Sequence, residues 1–575
     1  MLEGPTLFGE RTKAEKAELK KLKKKLNTLE KEQEDIQTNK LYVDAFEWRF
    51  EFPQLLDENG KFTGFDIIIG NPPYIKEATD KNAFNGLRNS AYYQGKMDLW
   101  YIFACKGIDL LKSNACLCYI ATNNWVTNDG ASILRNKIVS DARIIQLIDF
   151  FDAMIFDSAS IQTMIMLFQK DCITDNYSFD YRKVQQKHAN KQAAINLLEK
   201  IHDDSNVFFM PLINREHFSN QLLTFASTEN NQILQLISNT KHILLNDQDG
   251  LKEISSGIDV LQDYVNKKAQ QLLNNKKQIG DGIFVLSQQE YDSLSFNENE
   301  KSLVKPYYTS KLINRYSVCK ENSEWIIYTD SSANDSISLY PNIQKHLDQF
   351  SKVITSVNKP YGLHRARKKE SFEGEKILAL RKCVNRPAFS YVNFDSFVSR
   401  AYLIIRTNRI NQKYLTGLLN STLIKYWLKY KGKMQGANFQ IDKEPLQQIP
   451  IAVPAINVQE LIATIVDYVM IASSTKENLS ELVSNETIAL FFEKIIDGCV
   501  YELYFGEHMK EQEINIIDSA LELIKPITRL SSDKEKADMI LDVFMNIKKT
   551  DNSIRNRLDL FTLRSSEILK LIIEG

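Results

Sequence analysis

The chain has 575 residues, 43% of them hydrophobic, with 72 basic against 73 acidic side chains. That length implies about three or four domains at roughly 100–200 residues each. A near-neutral total excludes a uniformly basic coat or an acidic solvating chain, so any charged partner must be met by local patches.

The seven cysteines, Cys105, Cys116, Cys118, Cys172, Cys319, Cys383 and Cys499, are scattered and odd in number. They show neither a disulfide framework nor paired zinc-ligand spacing, which points to a reducing cytoplasm. The seven histidines are equally scattered, without a His-Glu-x-x-His pattern, and no metal site is expected. Met1 to Pro5 lacks the apolar stretch of a signal peptide. No uninterrupted apolar run approaches the roughly 18–20 residues that span a bilayer, so no membrane contact is expected.

In chain order, Glu10 to Lys40 is dense in Lys and Glu. Leu19, Leu22, Leu26, Leu29 and Ile36 fall on one helical stripe. The spacing predicts a long charged amphipathic helix within residues 1–41, packing by its leucines. Its mixed charges make no basic patch.

From 42 to 170 strands and helices alternate. Phe65 to Gly70, Ala115 to Ala121, Ile144 to Phe150 and Ile161 to Phe168 read as strands. Asp98 to Leu111 and Ser132 to Ser140 read as helices. The pattern predicts an α/β layer over a mostly parallel sheet. Residues 171–455 read as a mixed α+β region. Residues 456–575 read as a helical C-terminal region, with helical periodicity at Gln459 to Ala472, Asn485 to Phe505 and Glu513 to Ile524. Pro450 and Pro454 mark the boundary between the two.

The chemistry concentrates at Asp66-Ile67-Ile68-Ile69-Gly70-Asn71-Pro72-Pro73-Tyr74. In α/β sheets, ligands bind outside the carboxyl ends of the strands. Proline lacks an N–H and holds the preceding residue extended. The tip therefore displays the Asn71 side-chain oxygen, the Pro72 backbone oxygen and the Tyr74 ring. Two acceptors and a ring suit a flat substrate bearing an amino group, and a stacked base is worth about 1–3 kcal/mol.

Asn71-Pro72-Pro73-Tyr74 after an apolar strand resembles motif IV of S-adenosylmethionine-dependent amino-group methyltransferases, whose DNA-acting members flip the target adenine out of the duplex. Tyr92 to Trp100, Cys118 to Trp125, Leu134-Arg135 and Ile148-Asp149-Phe150 with Ile155-Phe156 resemble further segments of that family. Ala45 to Pro53 is similar to the Trp-x-x-Glu-Phe-Pro stretch before motif IV in large single-chain type IIG restriction–modification enzymes. The resemblance implies a partial Rossmann-like methyltransferase core followed by a target recognition domain. It implies that Asn71 and Pro72 accept hydrogen bonds from the adenine N6 amine, with Pro73 stiffening the tip. Tyr74 stacks on the base and Phe156 packs against it.

The chain departs from the family in one respect. No Gly-x-Gly occurs before Asn71, so the cofactor-binding residues stay unknown and the S-adenosylmethionine loop is expected from a complementary subunit. No Pro-Asp…Asp/Glu-x-Lys constellation for metal-dependent cleavage is seen either.

Val304 to Tyr308, Trp325 to Tyr328, Lys376 to Lys382, Leu418 to Ser421 and Gln447 to Ile451 resemble segments of the family's target recognition domain. The candidate contacts to double-stranded DNA are Arg365, Arg367, Lys368 and Lys369 in one basic run, Arg381, and Lys425, Lys429, Lys431 and Lys433 interleaved with aromatics. Arg365, Arg367 and Arg381 are candidate readers of guanine; Gln435, Asn438 and Gln440 of adenine.

The function implied is adenine-N6 methylation of DNA within a restriction–modification system. The competing readings are a non-catalytic DNA-specificity subunit or remnant and, less favoured, methylation of a protein glutamine. Enzymes of the last kind end soon after the core, whereas about 400 residues follow Lys170 here.

Overall fold

The structure is a computed structural model. It describes residues 13–37, 46–151, 153–156, 161–171, 175–186, 189–213, 223, 225–246, 252–435, 438–475, 478–528 and 532–575. Helix α1 spans Lys13–Gln37. Its stripe does not pack as expected: Leu22, Leu26 and Leu29 are exposed, and the side chain of Ile36 lies outside the described residues.

The β-branched run Phe65–Gly70 forms strand β1. Helix α2, Leu99–Leu110, buries nine of its twelve residues, as a helix apolar almost all round must. Strand β2 is Leu111–Thr122, helix α3 Ser132–Asp141, and strand β3 Ala142–Asp149. Strands β4, Thr163–Lys170, β5, Asp180–Val184, and β6, Asn206–Phe209, complete a six-stranded sheet ordered β1-β2-β4-β3-β5-β6.

The sheet corrects the expectation of a mostly parallel layer. β1–β2 and β3–β5 are parallel, but β2–β4, β3–β4 and β5–β6 are antiparallel. β4 follows β3 with no helix between them among the described residues, so it returns antiparallel and inserts between β3 and β2. Of the remaining five strands, four keep one direction and β6 at the far edge opposes them. The carboxyl ends of β1, β2, β3 and β5 therefore lie at one side of the sheet.

Two four-stranded sheets follow. One pairs Ile254–Ser256, Tyr402–Ile405, Lys376–Leu380 and Phe389–Val392. The other pairs Val285–Ser287, Glu324–Ile327, Val304–Tyr308 and Phe397–Val398. Helices Gln412–Asn420 (α4), Thr422–Lys431 (α5), Ile456–Ser474 (α6) and Asn485–Glu511 (α7) close the chain with shorter ones. One hydrophobic core joins Ile377 and Leu403 of the first of these sheets to Ile462 of α6 and Phe492 of α7, so it runs across position 455. Helix α6 is long and apolar enough to cross a membrane by length and composition alone. Half of its apolar window is buried inside the protein, where it packs on α4 and α7, and Gln459, Glu460 and Asp467 interrupt its sequence.

Gly130 ties the six-stranded sheet to its surroundings. A Cβ there would lie 2.2 Å from the Lys96 carbonyl oxygen, so only glycine lets the turn before α3 approach the backbone leading into α2. Gln94 seals the same junction, donating to the Asp129 carbonyl at 2.6 Å and accepting from the Ile133 N–H at 2.8 Å. Gly130→Ala is expected to cost about 1–3 kcal/mol through overpacking against backbone. Thermal denaturation should show a midpoint lowered by several degrees.

Candidate functional site

β1 pairs with β2 in the register Ile69 with Cys118 and Gly70 with Tyr119. Asn71 is next in line and projects, exposed, from the carboxyl end of β1; Pro72 behind it is buried. Tyr74 folds back over the tip. Its hydroxyl lies 2.5 Å from Asn71 Oδ1 and 2.8 Å from the Ile120 carbonyl oxygen. One hydroxyl proton serves two acceptors, so the tyrosine links the tip of β1 to the backbone of β2. Burial raises the Tyr74 pKa, and the Asp98 carboxylate adds to the rise.

The chain after Tyr74 is pinned to the segment that enters α2. Lys76 and Asp98 lie opposite each other in an antiparallel backbone pairing, in which the Glu77 N–H donates to the Met97 carbonyl at 3.0 Å and the Leu99 N–H to the Ile75 carbonyl at 2.8 Å. Glu77 accepts from the Tyr93 hydroxyl at 2.5 Å and the Lys96 N–H at 2.7 Å. Asp98 caps this junction at 1% exposure, and neither carboxylate oxygen has a hydrogen-bond partner. Burial pushes its pKa up to about 6, and nearby backbone amides and the Lys76 ammonium soften the rise.

A polar chain continues along the same side of the sheet. The Trp100 indole donates to Thr122 Oγ1 at 3.0 Å, Thr122 to Asn124 Oδ1 at 3.0 Å, and Tyr101 to the same oxygen at 3.2 Å. Asn123 Nδ2 donates to Asp149 Oδ1 at 3.0 Å, joining the ends of β2 and β3. Phe156 lies half-buried in the stretch that follows β3. Asn71, Pro72, Tyr74 and Phe156 therefore share the carboxyl side of one sheet. The buried carboxylate of Asp98 and the Ile120 carbonyl went unread in the sequence. Asp98 sits inside a segment that stood out, but nothing in its spacing signals burial.

On its other side β1 is open. Among the described residues it pairs only with β2, and Ile67 and Ile69 are 69% and 78% exposed. With Trp48, Phe65, Ile102 and Phe103 they line an apolar cavity of about 570 Å³. The described glycines before Asn71 form no cradle for a methionine moiety. Gly60 faces open space, Gly64 sits against the backbone of Leu110 to Lys112, and Gly70 sits against the Tyr119 ring. Among the described residues, the tip thus exposes Asn71 at the end of β1, and the glycines before it make no close-approach turn.

The candidate cations separate by environment. Arg365, Arg367, Lys368 and Lys369 are exposed in a loop, with Lys369 ion-paired to Glu373 at 2.9 Å and Arg367 Nε 3.4 Å from the Gly257 carbonyl. Arg381 is ion-paired to Asp442, and Lys433 lies 3.8 Å from the same carboxylate. Lys425, Lys429 and Lys431 are half-buried on α5, and burial lowers all three pKa values. Lys429 falls to about 8, helped by Lys183 and Lys425, and donates to the Gly575 carbonyl at 2.7 Å. The interleaved Tyr426 and Trp427 are core residues, 1% and 5% exposed.

Residues 6–156 match the Eco57I restriction-modification methylase family, and residues 305–451 the TaqI-like C-terminal specificity domain. The chain joins an Eco57I-type restriction–modification methylase segment to a TaqI-like specificity domain. The tip at Asn71 lies inside the first match, and Arg381 and α5 inside the second. A Methanocaldococcus jannaschii protein named as a type II restriction enzyme and methyltransferase is 21% identical over 527 residues, 89% of this chain and 37% of its own. The type II methyltransferase M.HincII of Haemophilus influenzae is 22% identical over 67% of this chain and 73% of its own. The solved type IIL restriction–modification enzyme MmeI in complex with DNA shares the fold, with a TM-score of 0.51 at 13% identity, over 86% of this chain and 58% of that one. The chain thus spans little more than a third of the archaeal relative's length.

Asp98 makes the stability of this methylase segment depend on pH. An acid whose pKa rises from 3.8 to about 6 on folding binds its proton more tightly when folded. Its contribution is full below about pH 4 and is lost as pH climbs to about 6. Chemical denaturation should show Asp98→Asn gaining on the parent by an amount on the order of 2 kcal/mol between pH 4 and pH 7. Parallel pH profiles would contradict this.

Proposed function

We propose that the chain methylates adenine N6 in double-stranded DNA, using S-adenosylmethionine, as the catalytic and DNA-specificity part of a cytoplasmic type IIG-like restriction–modification system. The observation that carries this reading is the Asn71-Pro72-Pro73-Tyr74 tip at the carboxyl end of β1, with Asn71 exposed. In this reading 42–170 is the catalytic half, a partial Rossmann-like core. Residues 171–455 are the target recognition domain, and α1 and the C-terminal helices flank them. The match to a specificity domain supports DNA over a protein glutamine as the substrate.

S-adenosylmethionine, when bound, supplies an electrophilic methyl group. The chain's own residues act on the acceptor. Asn71 Oδ1 and the Pro72 carbonyl accept the two amine hydrogens and draw nitrogen lone-pair density out of the base ring. Pro73 fixes the spacing of those acceptors. Tyr74 stacks on the base, with Phe156 closing the pocket from the end of β3. The Tyr74 hydroxyl holds Asn71 Oδ1 in place by its tie to Ile120. The exposed cations Arg365, Arg367, Lys368 and Lys369 meet phosphates, while Arg381 and Lys425 to Lys433 line the specificity side.

The open edge of β1 supports a further part of the reading. A complementary polypeptide adds a strand there, covers Ile67 and Ile69, and carries the glycine turn that seats the cofactor. Calorimetry with S-adenosylmethionine tests it. Micromolar binding by the chain alone would remove the need for such a partner.

Asn71→Ala is expected to lower the rate of methyl transfer at least on the order of a hundredfold, the scale for losing one preorganised polar contact to a transition state. Mass spectrometry of duplex DNA nucleosides reads this as loss of N6-methyladenine, and N4-methylcytosine as the product would refute the adenine assignment. Tyr74→Phe keeps the ring and loses the tie. It should lower kcat about fivefold with KM for DNA little changed, as expected for a net hydrogen-bond contribution of about 1 kcal/mol.

A further inference from the structure

Asp442 is the hub of three side chains that reach it from neighbouring strands. Arg381, directly after strand Lys376–Leu380, places Nη2 on Asp442 Oδ1. Gln440 Nε2 donates to Oδ2 at 3.0 Å, and Lys433 Nζ lies 3.8 Å from it. The backbone beneath is rigid: the Arg381 N–H donates to the Ala401 carbonyl at 2.9 Å, and the Ile441 N–H to the Arg381 carbonyl at 2.8 Å. Strands Lys382–Val384, Asn438–Gln440 and Lys433–Gln435 form a small sheet around it, with Gln440 opposite both Lys382 and Lys433.

The hub lines a cavity of about 320 Å³ that is also lined by Thr127 and Asp129, from the connection between β2 and α3. It therefore lies in the cleft between the methylase segment and the specificity domain. Arg381 keeps 36% of its side chain exposed there, yet its Nε is buried without a hydrogen-bond partner. Only Nη2 of the guanidinium is tied to the carboxylate, so the exposed part of the fork keeps donors for a ligand in the cavity. A phosphate does not suit the cavity, since Asp129, Asp442 and Glu444 line it alongside the cations. A base edge carries no net charge and meets no such repulsion. Guanine O6 and N7 are the acceptor pair that matches a guanidinium fork, and the carboxylate holds that fork ready.

We propose that Arg381, held by Asp442, is a specificity-determining residue that reads one guanine of the recognised DNA sequence. This rests on reading the chain as a sequence-specific DNA methylase.

The test is selection of bound duplexes from a randomised library by the full chain, without cofactor. The parent is expected to enrich a motif with an invariant guanine. Arg381→Ala should lose that guanine alone, with discrimination there falling roughly ten- to a hundredfold. Arg381→Lys, which keeps the charge beside Asp442 but not the fork, should lose it too, so a misfolded alanine variant does not decide the outcome. Asp442→Asn should weaken the same position. An unchanged motif in both arginine variants, an even loss of affinity at every position, or no motif for the parent would each overturn the proposal. The methylation reading fails separately: the selected duplex would then bind with its guanine preference intact and stay unmethylated when S-adenosylmethionine and the polypeptide that seats it are both added.

Discussion

The parallel register of β1 on β2 is the constraint on which the site depends. It sets Gly70 beside Tyr119, and so brings the Ile120 carbonyl within reach of Tyr74. A one-residue slip would turn every side chain of β1 to the other face and move Asn71 off the end of the sheet. The polar contacts around the tip, from Tyr74 to Asn71, Glu77 to Met97 and Glu77 to Lys96, brace a loop whose position the strand pairing has already chosen. Gly130 and Gln94 then press the segment before α2 against the turn before α3, so Asp98 is buried from behind.

Both halves of the molecule hold ion pairs, as at Lys137 with Asp109 and Asp141, and one carboxylate stands apart from them. The methylase segment buries a single carboxylate without a partner beside its exposed tip, a costly arrangement of the kind that gathers at functional sites. The specificity domain pairs its charges: Arg381 with Asp442, Arg409 with Glu253, and Arg315 with Glu493 and the backbone of Asn420. Pairing holds long cationic side chains in one geometry, which favours selective contact over nonspecific attraction. The loose cations sit in the 364–369 loop, where exposure suits salt-sensitive phosphate contact.

Much of the fold was legible in residue pattern. The triple isoleucine before Asn71, the apolar helix after Asp98 and the strand ending at Thr122 stand where periodicity put them; the helix and the second strand bury the apolar residues that their own sequences display, while Ile67 and Ile69 of the first stay exposed. The direction of β4 was not legible, since a strand reads alike whichever way it runs. The environment of the Lys425 to Lys433 run was not legible for a related reason. Cations and aromatics alternate along the sequence, but the helix turns Tyr426 and Trp427 into the core and leaves the lysines half-buried around it. Pro450 and Pro454 suggested a boundary, yet the core continues past them, because α6 and α7 cover the sheet that holds Leu403.

The sequence by itself determined the chemistry on offer at the tip: two acceptors and a ring made rigid by two prolines, a property of covalent structure within four residues. It also determined the apolar segments that must be buried. Only the tertiary structure decided which groups meet. The tie from Tyr74 to a strand 46 residues away, the buried Asp98 carboxylate and the hub at Asp442 join residues far apart in the chain. So does the open flank of β1, whose exposed isoleucines look in sequence like any buried strand. Strand order and register create these contacts, and local propensity carries no information about either.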